Sequence, residues 1–157
     1  MSLAALGVAY GLWAETVHIE GTVNTGTADL EWLVDESSCN DDGIDPGYGK
    51  DVGWVSLALG PTSDILEVTV ESAYPTYSLA CTLAYRNSGS IPVRVKTIHT
   101  TYPNDKLTVS YWNGPVVQLD PGQQKTCTVY IHVEDQAEPG ISYTFTMRIN
   151  HVQWNEP

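Results

Sequence analysis

The sequence feature that most constrains the fold is an alternation of apolar and polar side chains with a period of two, repeated in short segments. Residues 76–85, for example, place Leu79, Cys81, Leu83 and Tyr85 on one face of an extended strand. Turns rich in Gly, Pro, Asn and Asp separate the segments at intervals of about 8–12 residues, and no segment keeps a helical period. The pattern predicts an all-β protein.

The number of segments indicates how the strands are arranged. The predicted strands cover residues 15–23, 27–34, 51–59, 64–71, 76–85, 91–100, 107–112, 115–119, 125–133 and 142–152. The chain has 157 residues, which is enough for one domain with a substantial core. About nine or ten short strands in one domain favour a β-sandwich of the immunoglobulin-like kind.

The charge balance limits the classes of partner. The chain has 19 acidic and 7 basic residues, a net charge of −12. Such a surface repels nucleic acid and anionic membranes, so we expect neither as a partner. The sequence also contains no nucleophile–base pair, no metal-ligand set and no phosphate-binding loop, so we do not expect an enzyme.

The first 13 residues form an uncharged apolar segment with an alternation of its own. Its large side chains alternate with Gly7, Ala9 and Gly11, which places the large ones on one face of a strand. The residues expected to make contacts from this strand are Leu3, Leu6, Val8, Tyr10, Leu12 and Trp13. The segment is too short for a membrane span, which takes about 20 residues.

Three interpretations of residues 1–13 remain open. The segment has some features of a secretory signal peptide, although it lacks a basic start. It would also serve as the first strand of the domain's own core. The third interpretation is a donor strand, which completes the sheet of a neighbouring subunit by β-augmentation. On this interpretation residues 1–13 are the donor strand and residues 14–157 the sandwich domain, with a signal peptide cleaved upstream.

An acidic loop is predicted at residues 35–51. Its carboxylates are ligands of the type that calcium prefers, and the candidates are Asp41, Asp42 and Asp45. The spacing does not match an EF-hand, and a solvated acidic loop is the alternative. Calcium is the one cofactor that the sequence suggests.

Three cysteines allow at most one intramolecular disulfide. Cys81 and Cys127 both lie on apolar faces of predicted strands and point into the core. We expect either a disulfide between them across the two sheets, formed in an oxidising compartment, or two buried thiols. Cys39, in the acidic loop, would then be the unpaired cysteine.

Several strand-and-turn motifs resemble those of the TasA/camelysin-like family. The motifs are LWAE at 12–15, GTVNTG at 21–26, AYPTY at 73–77, YRNSGSIPV at 85–93, LDPGQ at 119–123, YTFT at 143–146 and QWNE at 153–156. The resemblance implies a secreted, jelly-roll-like surface protein of the group that includes biofilm-fibre and archaeal bundling-pilus subunits. Some members are labelled metalloproteases, but this chain has no HExxH motif.

The resemblance and the N-terminal segment together suggest a structural role outside the cell. We expect a subunit of an extracellular filament, a pilus or biofilm matrix fibre, in which copies join head to tail through the donor strand. The alternative is a monomeric immunoglobulin-like binding or adhesin module on the cell surface, which keeps residues 1–13 in its own sheet.

Overall fold

The computed structural model describes residues 18–40, 52–103, 105–112 and 117–156. Within these ranges the chain forms nine strands and no helix. The strands are β1 (Leu30–Asn40), β2 (Trp54–Leu59), β3 (Ile65–Ala73), β4 (Ser78–Asn87), β5 (Val93–Thr101), β6 (Leu107–Trp112), β7 (Val117–Leu119), β8 (Gln124–Val133) and β9 (Ile141–Gln153). The predicted all-β fold is confirmed, and the strand predicted at residues 1–13 lies outside the described residues.

The strands form two sheets of unequal width, which pack against each other as a sandwich. One sheet has four strands in the order β1-β4-β8-β6, and the other has five in the order β2-β3-β9-β5-β7. Every neighbouring pair is antiparallel. Four of the nine strands are therefore edge strands, namely β1, β2, β6 and β7.

The core is built from the alternating rows that the sequence predicts. In β3, Leu66, Val68 and Val70 are at most 1% exposed, while the residues between them point outward. The inward rows of the other central strands are Leu79, Cys81, Leu83 and Tyr85 in β4, Val129, Ile131 and Val133 in β8, and Phe145, Met147 and Ile149 in β9. These rows make one continuous apolar layer between the sheets.

Strand β1 is longer than predicted, because its polar residues form a bulge and the strand continues beyond them. Leu33 lies opposite Ala84 and Ser38 lies opposite Thr82, so residues 34–37 face a single residue of β4. Beyond the bulge, β1 pairs with β4 again as far as Asn40. Residues 35–40, predicted to belong to a loop, are therefore part of a strand.

The extension of β1 changes the disulfide pairing. Cys39 lies directly opposite Cys81, with 3.9 Å between the Cα atoms, and the two are bonded. Cys127 is a buried free thiol, opposite Leu83 on the same sheet as Cys81. The predicted Cys81–Cys127 disulfide is wrong, because it required the two cysteines to face each other from different sheets.

The strand predicted at residues 15–23 is also wrong over residues 18–23. These residues form no strand, and every one of them is exposed. Their alternation is suited to a sheet, but none of the nine described strands pairs with them. Residues 15–17 lie outside the described part of the chain.

Candidate functional site at the open side of the sandwich

The inner face of β2 is only partly covered. Its inward row, Val55, Leu57 and Leu59, pairs with the fully buried row of β3. Val55 and Leu57 are half-buried, and Leu59 is 50% exposed. The five-stranded sheet therefore extends past the four-stranded sheet on this side, because among the described strands none lies beyond β1 to cover β2.

The uncovered side is a groove between the two edge strands, which we call the β1–β2 groove. It encloses about 310 Å³. Its walls are Val34, Ser37, Ser38 and Cys39 from β1 and Trp54, Val55 and Leu57 from β2. Trp54 is 55% exposed at the rim. A groove with Val34, Val55 and Leu57 in its walls beside an edge strand offers both side-chain burial and backbone hydrogen bonds to an added strand.

The bulge in β1 shapes one wall of the groove and is held by a serine. Ser37 Oγ donates to the carbonyl of Leu33 at 2.7 Å and accepts from the amide of Ala84 at 2.9 Å. These two bonds connect the part of β1 before the bulge to β4 across the irregular region. The polar residues Asp35 and Glu36 consequently point into solvent while β1 stays attached.

One end of the groove is closed by the turn between β2 and β3. The backbone amide of Trp32 donates to the Ser63 carbonyl at 2.8 Å, and its indole Nε1 donates to the Asp64 carbonyl at 3.0 Å. These contacts occupy the outer edge of β1 at Trp32. Beyond this point, no described strand pairs with the outer edge of β1.

The chain enters the domain at the other end of β1. The amide of Thr27 donates to Ser90 Oγ, and the amide of Ser90 donates to the Thr27 carbonyl, both at 2.9 Å. The fit is close, because a Cβ on Gly89 would lie 2.3 Å from the Thr27 carbonyl oxygen. Before this anchor, Ile19 and Val23 are 87% and 86% exposed. The described part of the tail thus leaves from the end of β1 opposite to the groove.

Two buried groups on the inner face of the four-stranded sheet have shifted ionisation. Burial raises the pKa of the Cys127 thiol to about 11. Burial, and secondarily the charge of a deprotonated Cys127, raises the pKa of Tyr85 to about 12. Both groups are therefore neutral at physiological pH, and the core behind the groove carries no charge from them.

The residues predicted to form sites fall in three places. The donor-strand residues Leu3, Leu6, Val8, Tyr10, Leu12 and Trp13 lie outside the described residues. The calcium candidates Asp41, Asp42 and Asp45 also lie outside them. Among the residues that the structure does describe, no group of three or more His, Cys, Asp or Glu side chains is placed to hold a metal ion. Cys81 is behind the groove, bonded to the groove residue Cys39.

The groove residues themselves were not predicted from the sequence. The strand that holds Trp54, Val55 and Leu57 was predicted, but nothing local in a strand says that it lies at a sheet edge.

One serine–histidine contact has the residue types of a hydrolase site. Ser78 Oγ lies 2.6 Å from His132 Nδ1, on the outer face of the four-stranded sheet. In serine hydrolases the serine bonds Nε2, and a carboxylate bonds Nδ1 to orient the ring. The neighbouring carboxylate of Glu134 instead accepts from Thr108. The contact is that of a cross-strand polar pair, and it gives no reason to propose hydrolysis.

Comparison of the chain with known protein families, with curated proteins and with solved structures gave no match. In the described ranges, no helix has the length and apolar character needed to cross a membrane.

Proposed function

We propose that the chain is the structural subunit of an extracellular filament, a pilus or biofilm matrix fibre. In this filament the N-terminal segment, residues 1–13, of one copy fills the β1–β2 groove of the next. The observation that carries the proposal is the half-covered inward row of β2 beside the open edge of β1. The resemblance of the turn motifs to the TasA/camelysin-like family supports the same function.

The dimensions of the segment and the groove agree. The large side chains Leu6, Val8, Tyr10 and Leu12 span six residue steps, or about 20 Å at 3.3 Å per step in a strand. The uncovered strand β2 has 6 residues, Trp54–Leu59. A strand added beside β1 would place the large face of the segment on Val55 and Leu57. Its face of Gly7, Ala9 and Gly11 would be turned to solvent, where no large side chain is needed.

The energy of such a contact would come from side-chain burial and from backbone hydrogen bonds. Four large apolar side chains contribute about 1.5–3 kcal/mol each when fully buried, or about 6–12 kcal/mol as an upper bound. Each backbone hydrogen bond to the edge of β1 adds about 0.5–1.5 kcal/mol. Ordering the segment costs about 1–2 kcal/mol per residue, so side-chain burial and backbone bonds are both required.

The tail and the groove lie toward opposite ends of β1, and this arrangement favours a contact between copies. The tail leaves beside the Asn87–Ile91 turn, at one end of β1, while the groove opens toward the other end. Before its anchor at Thr27, the described part of the tail exposes Ile19 and Val23. A head-to-tail contact of this kind does not close on itself, so it generates a filament instead of a dimer.

The test of the donor strand compares two variants that place the same charge on opposite faces of the segment. Val8→Asp places a carboxylate on the large face of the segment, and Ala9→Asp places one on the small face. We expect Val8→Asp to abolish filaments in electron micrographs and Ala9→Asp to retain them. The melting temperature of the Val8→Asp monomer should equal that of unassembled wild type. A lower melting temperature would instead support the cell-surface module that keeps its strand in its own sheet.

The test of the groove uses a second matched pair and then a mixture. Leu57→Lys charges the inward row of β2, whereas Ala58→Lys faces outward opposite Glu67. We expect only Leu57→Lys to stop assembly. Val8→Asp retains a good groove and Leu57→Lys retains a good donor segment, so an equal mixture should give a one-to-one dimer and no filament. A mixture that stays monomeric in analytical ultracentrifugation would contradict the proposal.

A further inference from the structure

A second recess lies on the outer face of the five-stranded sheet, on the side away from the core, and we call it the outer-face pocket. Its volume is about 330 Å³, within the range of small-molecule sites. Its floor is formed by two neighbouring rows of side chains from the three central strands, β3, β9 and β5. The first row is Ile65, Arg148 and His99, and the second is Glu67, Thr146 and Thr101.

The backbone beneath the outer-face pocket is firmly held. Leu66 and Met147, which lie next to pocket residues in β3 and β9, are fully buried in the core. A further wall is Pro61, in the turn between β2 and β3. That turn is closed by a bond from the amide of Gly60 to the Ile65 carbonyl at 2.9 Å. A site on such a backbone needs little rearrangement when a ligand binds.

Two charged groups of the pocket have unused hydrogen-bonding capacity. Glu67 is half-buried, and among the described residues its carboxylate has no hydrogen-bond or ion-pair partner. Arg148 Nε lies 3.5 Å from Asp64 Oδ2, in an ion pair that holds the guanidinium beside the pocket. The two terminal nitrogens of that guanidinium donate to no residue in the described ranges. A strong acceptor and a strong donor are therefore both available to a ligand.

The placement of these charges disfavours an ionic ligand. An anion at the Arg148 guanidinium would compete with Asp64 and would be repelled by Glu67, in a chain whose net charge is −12. A cation at Glu67 would be repelled by Arg148, which is its diagonal neighbour in the register of β3 and β9. A neutral ligand that both donates and accepts hydrogen bonds satisfies the two groups together.

We propose that the outer-face pocket binds a neutral saccharide. Each sugar hydroxyl is both a donor and an acceptor, so neighbouring hydroxyls of one ring can donate to Glu67 and accept from Arg148. Thr101 and Thr146 supply hydroxyls of their own at the same place. Ile65 offers an apolar surface to the C–H face of the ring.

The saccharide site is separate from the β1–β2 groove. The pocket is lined by outward residues of β3, β9 and β5, whereas the groove lies against the inward row of β2. A strand bound in the groove would therefore not occupy the pocket. The inference goes beyond the proposed function and does not depend on it, since a chain that stays monomeric would bind the saccharide too.

The first experiment maps binding on the full-length Val8→Asp chain, so that assembly does not broaden the signals. Maltotriose, cellotriose, mannotriose and galactotriose are each titrated into the labelled protein and followed in amide NMR spectra. We expect saturable shifts with at least one of them, centred on residues 65–67, 99–101 and 146–148. The charged probes trigalacturonic acid and chitosan trimer should bind more weakly. No saturable shift with any neutral probe, shifts centred on β4 and β8, or tighter binding of a charged probe would overturn the inference.

The second experiment compares two carboxylates on the outward row of β3. Glu67→Gln removes the charge in the pocket and keeps the shape of the side chain. Glu71→Gln removes the same charge outside the pocket, where Glu71 accepts from Ser56 Oγ at 3.0 Å. We expect Glu67→Gln to raise the Kd of the tightest neutral trisaccharide at least about tenfold, because a charged acceptor is lost.

Glu71→Gln should leave that Kd unchanged, and both variants should keep the melting temperature of the parent chain. Equal Kd values for the two variants would overturn the assignment of the saccharide to this pocket.

Discussion

Asn87 is the one polar residue among the described residues that is buried, with 1% of its surface exposed. Its Nδ2 donates to the carbonyls of Ile91 and Leu119, and its Oδ1 accepts from the amide of Gly89, each at 2.9 Å. The side chain thus connects the end of β4 to the start of β5 and to β7. Buried polar groups that are fully bonded in this way specify one local arrangement of the chain.

Removing this side chain should be costly. Asn87→Ala breaks three hydrogen bonds and leaves two carbonyls and an amide without that partner, so we expect a loss of about 3 kcal/mol in the free energy of unfolding. The matched control is Asn150→Ala, which removes one exposed bond to Thr97 Oγ1 and should cost under about 1 kcal/mol. Urea denaturation measures both, and equal effects would contradict the role assigned to Asn87.

The raised pKa values of Cys127 and Tyr85 predict alkaline instability. Burial holds the pKa of Cys127 at about 11 against 9.0, and that of Tyr85 at about 12 against 10.0. Between those values the unfolded chain releases a proton that the folded chain retains. The free energy of unfolding therefore falls as pH rises from 9 through 12.

Cys127→Ala tests this assignment. The variant should show its decline only from about pH 10, where Tyr85 begins to contribute, whereas wild type declines from about pH 9. Urea denaturation at pH 8, 9, 10 and 11 gives the two profiles. Parallel profiles would show that Cys127 does not contribute to the pH dependence.

At the scale of the element, β1 shows where sequence patterns stop being informative. Strands β3 to β6, β8 and β9 were predicted within a few residues, because alternation covers most of each strand and turn residues bound them. In β1 the polar run at Asp35 and Glu36 reads as the start of a loop. Whether a strand resumes after such a run depends on the strand beside it, here the edge of β4. The residues around the run do not show which distant strand will lie beside them.

The same reason accounts for the two other errors. Cys39 was expected to be unpaired because its position opposite Cys81 exists only once the bulge has formed. Residues 18–23 alternate like a strand, but a strand also needs a partner, and the described strands offer none. For the candidate site, the sequence predicted the donor segment from its own alternation. It did not predict the groove, which is a property of the sheet order.

The bulge itself is open to test through Ser37. Ser37→Ala removes both bonds of the hydroxyl and leaves the amide of Ala84 without its acceptor, so we expect a loss of about 1–3 kcal/mol. Ser38→Ala, at the neighbouring exposed position, should change stability by less than about 0.5 kcal/mol. Chemical denaturation compares them. Equal stabilities would mean that the backbone alone maintains the bulge.

For the whole molecule, the net charge of −12 opposes association of identical copies. Added salt screens this repulsion, with a Debye length of about 30 Å at 0.01 M and about 10 Å at 0.1 M. We therefore expect filament elongation, followed by light scattering, to accelerate as NaCl rises from about 0.01 to about 0.5 M. Val8→Asp should remain monomeric throughout. Slower elongation at high salt would indicate that attraction between charges drives the contact.

The anchor at Thr27 and the bridge at Cys39 lie at opposite ends of β1, and in a fibre they would carry mechanical tension. A pull on the tail enters the domain at residues 27–29 and continues along the axis of β1. Because antiparallel hydrogen bonds are perpendicular to the strands, such a pull loads the β1–β4 ladder in shear, all bonds together. If those hydrogen bonds broke, the Cys39–Cys81 disulfide would still connect β1 to β4. A stretched fibre would therefore lengthen before any subunit unfolded completely.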